Sequence, residues 1–271
     1  MPTNAGSGPP KKIGAAFRFI VMIAKPMLLI LTKRDWRGGE NVPQFGGALI
    51  VANHVSNVDV LPFGFFIYDN GRHPHFLAKA SVFKVWPLGK LFRAAGQIPV
   101  YRATADAALA FRDAVAAVRA GHLVAVYPEG TITRDPDGWP MPAKSGAARI
   151  ALATGCPVVP MAQWGANQIL AFGERRPKVF PRKTMRVLAG PPLDLSDLMG
   201  LPQDADTLRI ATDRIMAAIT GLLAEIRQED APLEPYTPAL PARSVASATP
   251  ATPVVPATPA VPAKPATEDS E

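Results

Sequence analysis

The expected fold rests on the stretch Gly47-Ala48-Leu49-Ile50-Val51-Ala52-Asn53-His54-Val55-Ser56-Asn57-Val58-Asp59. Its first six residues form a short apolar run, which is typical of a strand buried on both faces of a sheet. The run ends on polar residues, among them a histidine and, five positions later, an aspartate. Because α/β proteins place their sites where strands end and loops begin, the stretch predicts a central strand with chemistry at its carboxyl end.

The chain outward from this stretch alternates short apolar runs with helical patterns from about Glu40 to Gln228, which indicates an α/β domain. Further strands are expected at 123–127, 157–163 and 185–188. Capping residues predict one helix from Thr104 to Gly121 and another from Ser145 to Gly155. One face of a long late helix is marked by Ala211, Ile215, Ile219, Leu222 and Ile226.

Three regions differ in composition: residues 1–36, 37–230 and 231–271. In the first, apolar residues recur at helical spacing from Lys11 to about Trp36, and Arg18 and Lys25 interrupt them. A simple membrane span needs about 20 mostly apolar residues, so we expect helices lying in the membrane interface, with their basic residues toward anionic headgroups. Pro26 is expected to break or kink the helix into two pieces.

The N-terminal region has two other interpretations. An ordinary core helix remains open, because an amphipathic pattern serves either use. A secretory signal peptide is disfavoured, because no small-residue cleavage site comes before Lys33-Arg34-Asp35. The last region, 231–271, is rich in proline, alanine and threonine, and we expect a disordered tail because it cannot bury enough apolar surface to order itself.

The overall composition restricts the partners and the chemistry. The 271 residues carry a formal net charge of +7, which indicates an anionic partner or simply solubility, and charge does not distinguish nucleic acid from anionic lipid. A single cysteine, Cys156, cannot form an internal disulfide, so a reducing environment is expected. No metal is expected, because His73, His75 and His122 are not spaced as ligands with His54.

His54 and Asp59 can form a general base. A carboxylate bonded to one ring nitrogen of a histidine fixes the tautomer and leaves the other nitrogen free to accept a proton. If Ser56 or Asn57 caps the next helix, Asp59 lies in its first turn and can reach back to the imidazole. No Gly-x-Ser-x-Gly elbow is present, so direct attack by the acceptor is expected instead of a covalent acyl-enzyme.

Two more polar segments follow apolar runs. Tyr127-Pro128-Glu129-Gly130-Thr131 offers a glycine that lets a substrate approach, and a threonine and backbone amides that can bind an anion. It can equally be an ordinary strand-to-turn signal. Gly96-Gln97-Ile98-Pro99-Val100-Tyr101-Arg102 puts a guanidinium just past a short strand, and the arginine fork suits a phosphate. An isolated arginine usually lies on a solvated surface.

Together these segments resemble, in order and content, the conserved blocks of the lysophosphatidic acid acyltransferase family. That family has an Asn-His-x4-Asp block, an Ile-Pro-Val-x-Arg block and a Pro-Glu-Gly-Thr block, followed by an apolar block that Pro157-Val158-Val159-Pro160 resembles. The resemblance covers roughly Asn41 to Gly190. The fold that it implies is an αβα sandwich around a mixed sheet, with N-terminal membrane-interfacial helices.

The resemblance also implies a function, that of a 1-acylglycerol-3-phosphate O-acyltransferase. Acyl-CoA or acyl carrier protein would be the donor, the sn-2 hydroxyl of lysophosphatidic acid the acceptor, and phosphatidic acid the product, without a cofactor. The implied place is the cytoplasmic face of the cell membrane, with peripheral or monotopic attachment to its anionic surface. The implied roles are those of His54 as base, Asp59 as its orienting partner, and Arg102, Glu129, Gly130, Thr131 and Lys79 as contacts to the substrate phosphate.

One departure from the family pattern bears on the phosphate site. The family commonly has arginine directly after Pro-Glu-Gly-Thr, whereas Ile132 and Thr133 precede Arg134 here. We therefore predict that Arg134 or Lys144 takes over this phosphate contact. A second basic stretch, 175–183, is expected to meet CoA phosphates or headgroups, or to be a solvated loop.

Two rival functions remain at this stage. The first is the same chemistry on another acceptor, such as glycerol 3-phosphate or a glycosylated phospholipid. The second is a non-catalytic protein that binds lipid or nucleic acid through the basic clusters. It leaves the spacing of His54 and Asp59 unexplained, and the sequence shows no nucleic-acid motif, so no nucleic-acid partner is expected.

Overall fold

One mixed sheet of seven strands lies at the centre of the computed structural model, which describes residues 14–100 and 104–238. The strands are β1 (Thr32–Arg37), β2 (Ala48–Ala52), β3 (Pro74–Lys79), β4 (Ile98–Val100), β5 (Leu123–Val126), β6 (Val158–Trp164) and β7 (Lys183–Ala189). Their order is β1-β7-β6-β2-β5-β3-β4. The strands β6, β2, β5, β3 and β4 are parallel, β7 is antiparallel to β6, and β1 is parallel to β7.

Helices cover both faces of this sheet. They are α1 (Ala15–Leu31), α2 (Val60–Asp69), α3 (Leu88–Ala94), α4 (Thr104–Arg119), α5 (Gly146–Thr154), α6 (Ala166–Ile169) and α7 (Ala205–Arg227). On one face, Leu49 and Val51 of β2 share a core with α4, α5 and α7. On the other face, Ile50 packs with Phe63 and Phe66 of α2. The expected αβα sandwich around a mixed sheet is confirmed.

The strand β2 is central, as the sequence predicts. Its five side chains are completely buried because β5 and β6 flank it and helices cover both faces. The other predicted strands end within a few residues of the expected bounds. In α7, four residues of the predicted face are buried and Leu222 is partly buried. Gly155 ends α5 in the left-handed conformation, at a φ of +63°, but Ser145 makes no side-chain cap.

The N-terminal region differs from the expectation in two ways. Thr32–Arg37 is a strand that pairs with β7, not the end of a helical region. The Thr32 hydroxyl donates to the Leu28 carbonyl at 2.6 Å, and the Arg182 guanidinium donates to the Leu29 and Thr32 carbonyls, so the helix end is satisfied and the chain turns into the sheet. Pro26 lies inside one continuous helix and does not separate two.

The two long faces of α1 are both apolar. Phe17, Val21 and Leu28 are buried against Phe65 and Ala95. The opposite face exposes Phe19, Met22, Ile23, Met27, Leu29 and Ile30. The basic residues of the N-terminal region were expected to face anionic headgroups. Two of them, Lys25 and Arg34, instead pair with Asp69 at the end of α2.

No helix among the described residues is long and apolar enough to cross a bilayer. Attachment of α1 to a membrane interface therefore stays a prediction. The compact unit that contains the sheet extends to Pro238. Most of the predicted disordered tail, from residue 239 onward, lies outside the described residues.

Candidate active site

His54 and Asp59 meet at the carboxyl end of β2. Nδ1 of His54 lies 3.0 Å from each carboxylate oxygen of Asp59. The aspartate is completely buried, whereas 19% of the histidine side chain is exposed. Asp59 is itself the residue that precedes α2, so it reaches back from the N-cap position and not from the first turn. The predicted caps are wrong: α2 has no side-chain cap bond, and the Ser56 hydroxyl instead donates to the Leu170 carbonyl at 2.6 Å.

Asp59 is held by donors on several sides. Its Oδ2 accepts the backbone N–H groups of Val55 at 2.7 Å and Ser56 at 2.9 Å, and its Oδ1 accepts the Tyr127 hydroxyl at 2.9 Å. These bonds compensate the cost of burying a carboxylate. Because an ionised carboxylate only accepts, the facing Nδ1 of His54 carries the proton. Nε2 is left for a substrate, since it has no hydrogen-bond partner among the described residues.

Tyr127 completes this arrangement, and sequence reasoning gave it no role. Its ring stacks on the His54 ring with centroids 4.0 Å apart and planes 10° apart. Burial, and then the negative charge of Asp59, raise the pKa of the phenol well above its usual value of 10. The register that pairs Val51 with Val126 brings Tyr127 beside the end of β2. The available signal was its position, directly before Pro-Glu-Gly-Thr at the end of a predicted strand.

Glu129 faces the protein backbone. Its Oε1 accepts the backbone N–H of His54 at 3.1 Å, and its Oε2 accepts that of Met141 at 3.0 Å. The residue is only 3% exposed, and burial raises the pKa of its carboxyl to about 7. Both oxygens are thus engaged, and a carboxylate repels a phosphate. The geometry gives Glu129 a role in holding His54 and the following loop, which differs from the direct phosphate contact that the resemblance implied.

Lys144 is brought to the turn that contains Gly130. The Lys144 backbone N–H donates to the Pro128 carbonyl at 3.0 Å. Its Nζ lies 3.6 Å from the point where a Cβ on Gly130 would stand, and Gly130 has a φ of +67°. The Lys144 side chain is exposed and has no ion pair within the part of the chain that the structure describes. Thr131 is partly exposed on the same turn.

Arg134 is positioned less firmly than Lys144 with respect to the Pro-Glu-Gly turn. Its side chain is exposed, and its backbone N–H donates to Sδ of Met141 at 3.3 Å. The loop around it is nevertheless fixed, because the Thr133 backbone N–H donates to the His54 carbonyl at 2.8 Å. Of the two predicted replacements for the missing arginine, Lys144 is the one that the fold holds against the Pro-Glu-Gly turn.

The far end of this loop is anchored to α7. The Arg227 guanidinium lies 4.2 Å from the ring centroids of both Trp139 and Trp164, and it donates to the Asp137 carbonyl at 2.7 Å. A planar cation between two indole faces combines stacking with cation–π attraction. No local pattern in the sequence indicates this contact, because Arg227 is distant in the chain from both tryptophans.

The remaining predicted phosphate contacts lie on neighbouring strands or outside the described residues. Lys79 is exposed at the carboxyl end of β3. Because β2, β5, β3 and β4 are parallel, their carboxyl ends share the edge of the sheet where His54 lies. Arg102 lies outside the described residues, two positions past the end of β4.

A buried amide pair ties β2 to β6 beneath His54. The Asn53 side chain donates to the Gln163 carbonyl at 3.0 Å and accepts the Gln163 backbone N–H at 2.8 Å. The Gln163 side chain donates to the Asn53 carbonyl at 2.9 Å. Both residues are 1% exposed. Sequence reasoning quoted Asn53 as part of a block but did not predict this support.

The other three histidines gather at the opposite edge of the sheet. His75 lies in β3 one residue after its start and His122 directly before β5. Their ring centroids are 4.3 Å apart, and the His73 ring lies 4.4 Å from that of His75. Among residues 14–100 and 104–238, no group of three or more histidine, cysteine or acidic side chains is arranged to hold a metal ion.

The part of the chain that holds this site is similar to known proteins. A family model described as Acyltransferase matches residues 33–164, which contain His54, Asp59 and the Pro-Glu-Gly turn. This part of the chain is similar to the acyltransferase family. The sequence resemblance to the lysophosphatidic acid branch is confirmed by a chloroplastic 1-acyl-sn-glycerol-3-phosphate acyltransferase of Brassica napus, 31% identical over 143 residues, and by one of Borreliella burgdorferi, 30% identical over 131 residues.

These matches cover parts of the proteins. The Brassica match spans 52% of this chain and 40% of the relative, and the Borreliella match spans 48% and 50%. The chain thus matches half or less of the length of these curated relatives. The 1-acyl-sn-glycerophosphate acyltransferase PlsC of Thermotoga maritima has a similar structure, with a TM-score of 0.61 over 79% of this chain and 81% of its own. At 23% identity, this likeness shows the fold.

Proposed function

We propose that the chain transfers a fatty acyl group to the sn-2 hydroxyl of 1-acylglycerol 3-phosphate and forms phosphatidic acid. The observation that carries the proposal is the pairing of His54 with the buried Asp59, which leaves Nε2 of a partly exposed imidazole facing no protein partner among the described residues. The names of the Brassica and Borreliella relatives support this acceptor.

The chemistry starts with proton removal. Nε2 of His54 takes the proton of the acceptor hydroxyl as that oxygen attacks the thioester carbonyl of the donor. Asp59 stabilises the imidazolium that forms, and the imidazolium then returns the proton to the departing thiolate. General-base help of this kind contributes on the order of 100- to 10,000-fold in rate. Acyl-CoA or acyl carrier protein is the proposed donor, and the step needs no cofactor.

The acceptor phosphate is held by the cationic turn and its neighbours. Lys144 over Gly130 supplies a positive charge, and Thr131 supplies a hydroxyl on the same turn. Lys79 adds a second charge at the same edge of the sheet, and Arg102 and Arg134 remain proposed contacts. Holding the phosphate orients the hydroxyl toward His54, which makes the attack effectively unimolecular.

We propose that the protein attaches peripherally or monotopically to the cytoplasmic face of the cell membrane. Six large apolar side chains face outward from α1, too many on one helix to be typical of a solvated surface. Trp86 and Phe180 are further exposed apolar side chains, at 76% and 72%. Trp86 lies two residues before α3, which contacts α1, and Phe180 lies two residues before Arg182, which donates to the Leu29 carbonyl. A helix with such a face buries it at the boundary between headgroups and acyl chains.

Acyl transfer from palmitoyl-CoA to lysophosphatidic acid in detergent or vesicles tests the proposal. The wild type is expected to form phosphatidic acid, and a folded His54→Ala variant is expected to lose at least about 100-fold in kcat. Equal turnover by the variant would contradict the proposed mechanism. Glycerol 3-phosphate as a parallel acceptor separates the nearer rival, and absence of turnover with both acceptors would favour a non-catalytic lipid-binding protein.

A further inference from the structure

The Tyr127 side chain touches both members of the catalytic pair. Its hydroxyl donates to Oδ1 of Asp59 at 2.9 Å, and its ring lies flat on the His54 ring with centroids 4.0 Å apart. Phe63 packs edge-on against the Tyr127 ring, at 5.4 Å between centroids and 67° between planes. The phenol is therefore fixed in place by its neighbours and is not a mobile side chain that happens to reach the aspartate.

The direction of the Tyr127 proton is fixed by its surroundings. The Asp59 carboxylate can only accept, and Nε2 of Gln163 donates to the phenol oxygen from another side at 3.4 Å. Burial and the charge of Asp59 raise the pKa of the phenol well above 10. Tyr127 therefore keeps its proton and donates it to Asp59 throughout the neutral pH range.

We propose that Tyr127 is a positioning residue for the acyl-transfer reaction, whose hydroxyl fixes and partly neutralises Asp59 while its ring fixes the plane of His54. This inference rests on the proposed function. The one N–H on Nδ1 is shared between both oxygens of the Asp59 carboxylate, which leaves the imidazole free to tilt about that contact, and the stacked ring opposes the tilt. Nε2 then stays aimed at the acceptor hydroxyl.

The two contributions have different consequences. Without the hydroxyl, Asp59 loses one donor and its negative charge is less dispersed, so the carboxylate stabilises the imidazolium more strongly. His54 then holds its proton to higher pH, and the acid limb of the rate profile moves upward. Without the ring, the imidazole is no longer held flat, and the loss falls on kcat at every pH.

Tyr127→Phe and Tyr127→Leu separate these contributions, with Tyr68→Phe as the matched control. Tyr68 lies in α2 and its ring contacts Phe17, away from His54. For Tyr127→Phe, which keeps the ring, we expect the acid limb of kcat/KM to move up by about half a pH unit or more, and kcat above that limb to stay within about threefold of the wild type. For Tyr127→Leu we expect a fall on the order of 100-fold. Tyr68→Phe is expected to match the wild type.

The KM for lysophosphatidic acid is expected to stay within about twofold in both Tyr127 variants, because Tyr127 holds His54 and not the phosphate. A Tyr127→Phe variant with the wild-type pH profile, or a Tyr127→Leu variant with the wild-type kcat, would overturn the proposal. So would a loss that appears only in the melting temperature or in KM.

A titration of the His54 ring by NMR tests the positioning role of Tyr127 separately from the proposed acyl-transfer function. In the absence of substrate, the His54 midpoint is expected to be higher in Tyr127→Phe than in the wild type, whichever lipid is the acceptor. An unchanged midpoint would contradict the proposed effect on Asp59 even if the enzyme is active. A shifted midpoint in a protein without activity on lysophosphatidic acid would support the positioning and reject the acceptor.

Discussion

The backbone N–H of His54 donates to Oε1 of Glu129 at 3.1 Å, so the Pro-Glu-Gly-Thr segment directly holds the histidine block. We expect Glu129→Gln to weaken this link, because the amide can accept from His54 but then turns its N–H₂ toward the Met141 N–H, donor against donor. The predicted loss is about 1–3 kcal/mol of unfolding free energy and about tenfold in kcat, measured by denaturant titration and acyl-transfer assay.

The same substitution has a distinctive pH dependence. The pKa of Glu129 is about 7 in the folded protein and near 4.5 when unfolded, so the folded state binds more protons between these values. Ionisation of Glu129 therefore lowers stability as the pH rises from 4.5 to 7, and the cost is fully present above pH 7. The stability difference between wild type and Glu129→Gln should change with pH in this window. A difference that is constant from pH 4.5 to 8 would contradict the raised pKa.

Lys144 is predicted to bind the acceptor phosphate in place of the arginine missing after Thr131. Lys144→Met should raise the KM for lysophosphatidic acid about tenfold with little change in kcat, as expected when a ground-state charge contact is lost. Arg134→Met should have a smaller effect, because within residues 14–100 and 104–238 no contact directs its side chain to the turn. Arg209→Met, an exposed basic residue on α7, is the control and should leave KM unchanged. If Lys144→Met and Arg134→Met combined left KM unchanged, the hypothesis would be abandoned.

The sequence predicted the centre of the fold better than its margins. The strand before His54 was predictable because six consecutive apolar residues have few other uses, and the histidine–aspartate pair followed from their spacing. The β1 strand was not, because Thr32–Arg37 follows a helical pattern and becomes a strand by pairing with β7, more than 140 residues later in the chain. Long-range contacts of this kind leave no local period.

The supports of the site were hidden for the same reason. Tyr127 and Glu129 could be located next to a motif, but their roles depend on the register between β5 and β2 and on the return of the loop to Met141. The family resemblance implied that Glu129 contacts the substrate phosphate, because it assigned one role to all residues of the Pro-Glu-Gly-Thr block. The hydrogen bonds distinguish the residue that holds the backbone from those that can reach a ligand.

The histidine stack predicts acid sensitivity. Burial is the main cause that lowers the pKa of both His73 and His75 to about 4, from 6.5 in the unfolded chain. The unfolded state therefore binds more protons between pH 6.5 and 4, so this contribution to stability is full above 6.5 and is lost as the pH falls toward 4. The effect is opposite in sign to that of Glu129.

His73→Phe tests this contribution while keeping a ring against Phe17, which lies 4.2 Å from the His73 ring. It also removes the buried Nε2 of His73, which has no hydrogen-bond partner among the described residues. We expect the variant to be at least as stable as the wild type at pH 7 and to lose about 1 kcal/mol less between pH 7 and 5, because solvent screens part of the effect at a partly exposed ring. Denaturant unfolding at both pH values measures this. An equal loss in the two proteins would show that His73 does not contribute to the acid sensitivity.

The outward face of α1 is predicted to bind the membrane through its apolar side chains. Met22 is 64% exposed and Ile30 is 68% exposed, and neither is part of the buried contact with Phe65. Burying such a side chain in lipid is worth about 1.5–3 kcal/mol, so Met22→Gln combined with Ile30→Gln should lower partitioning to phosphatidylglycerol-containing vesicles by more than tenfold.

Leu109→Gln, on α4 and 40% exposed, is the matched control and should bind like the wild type. Flotation at low and high salt separates apolar binding from headgroup attraction. Equal flotation of the double variant and the control would remove α1 from the interface.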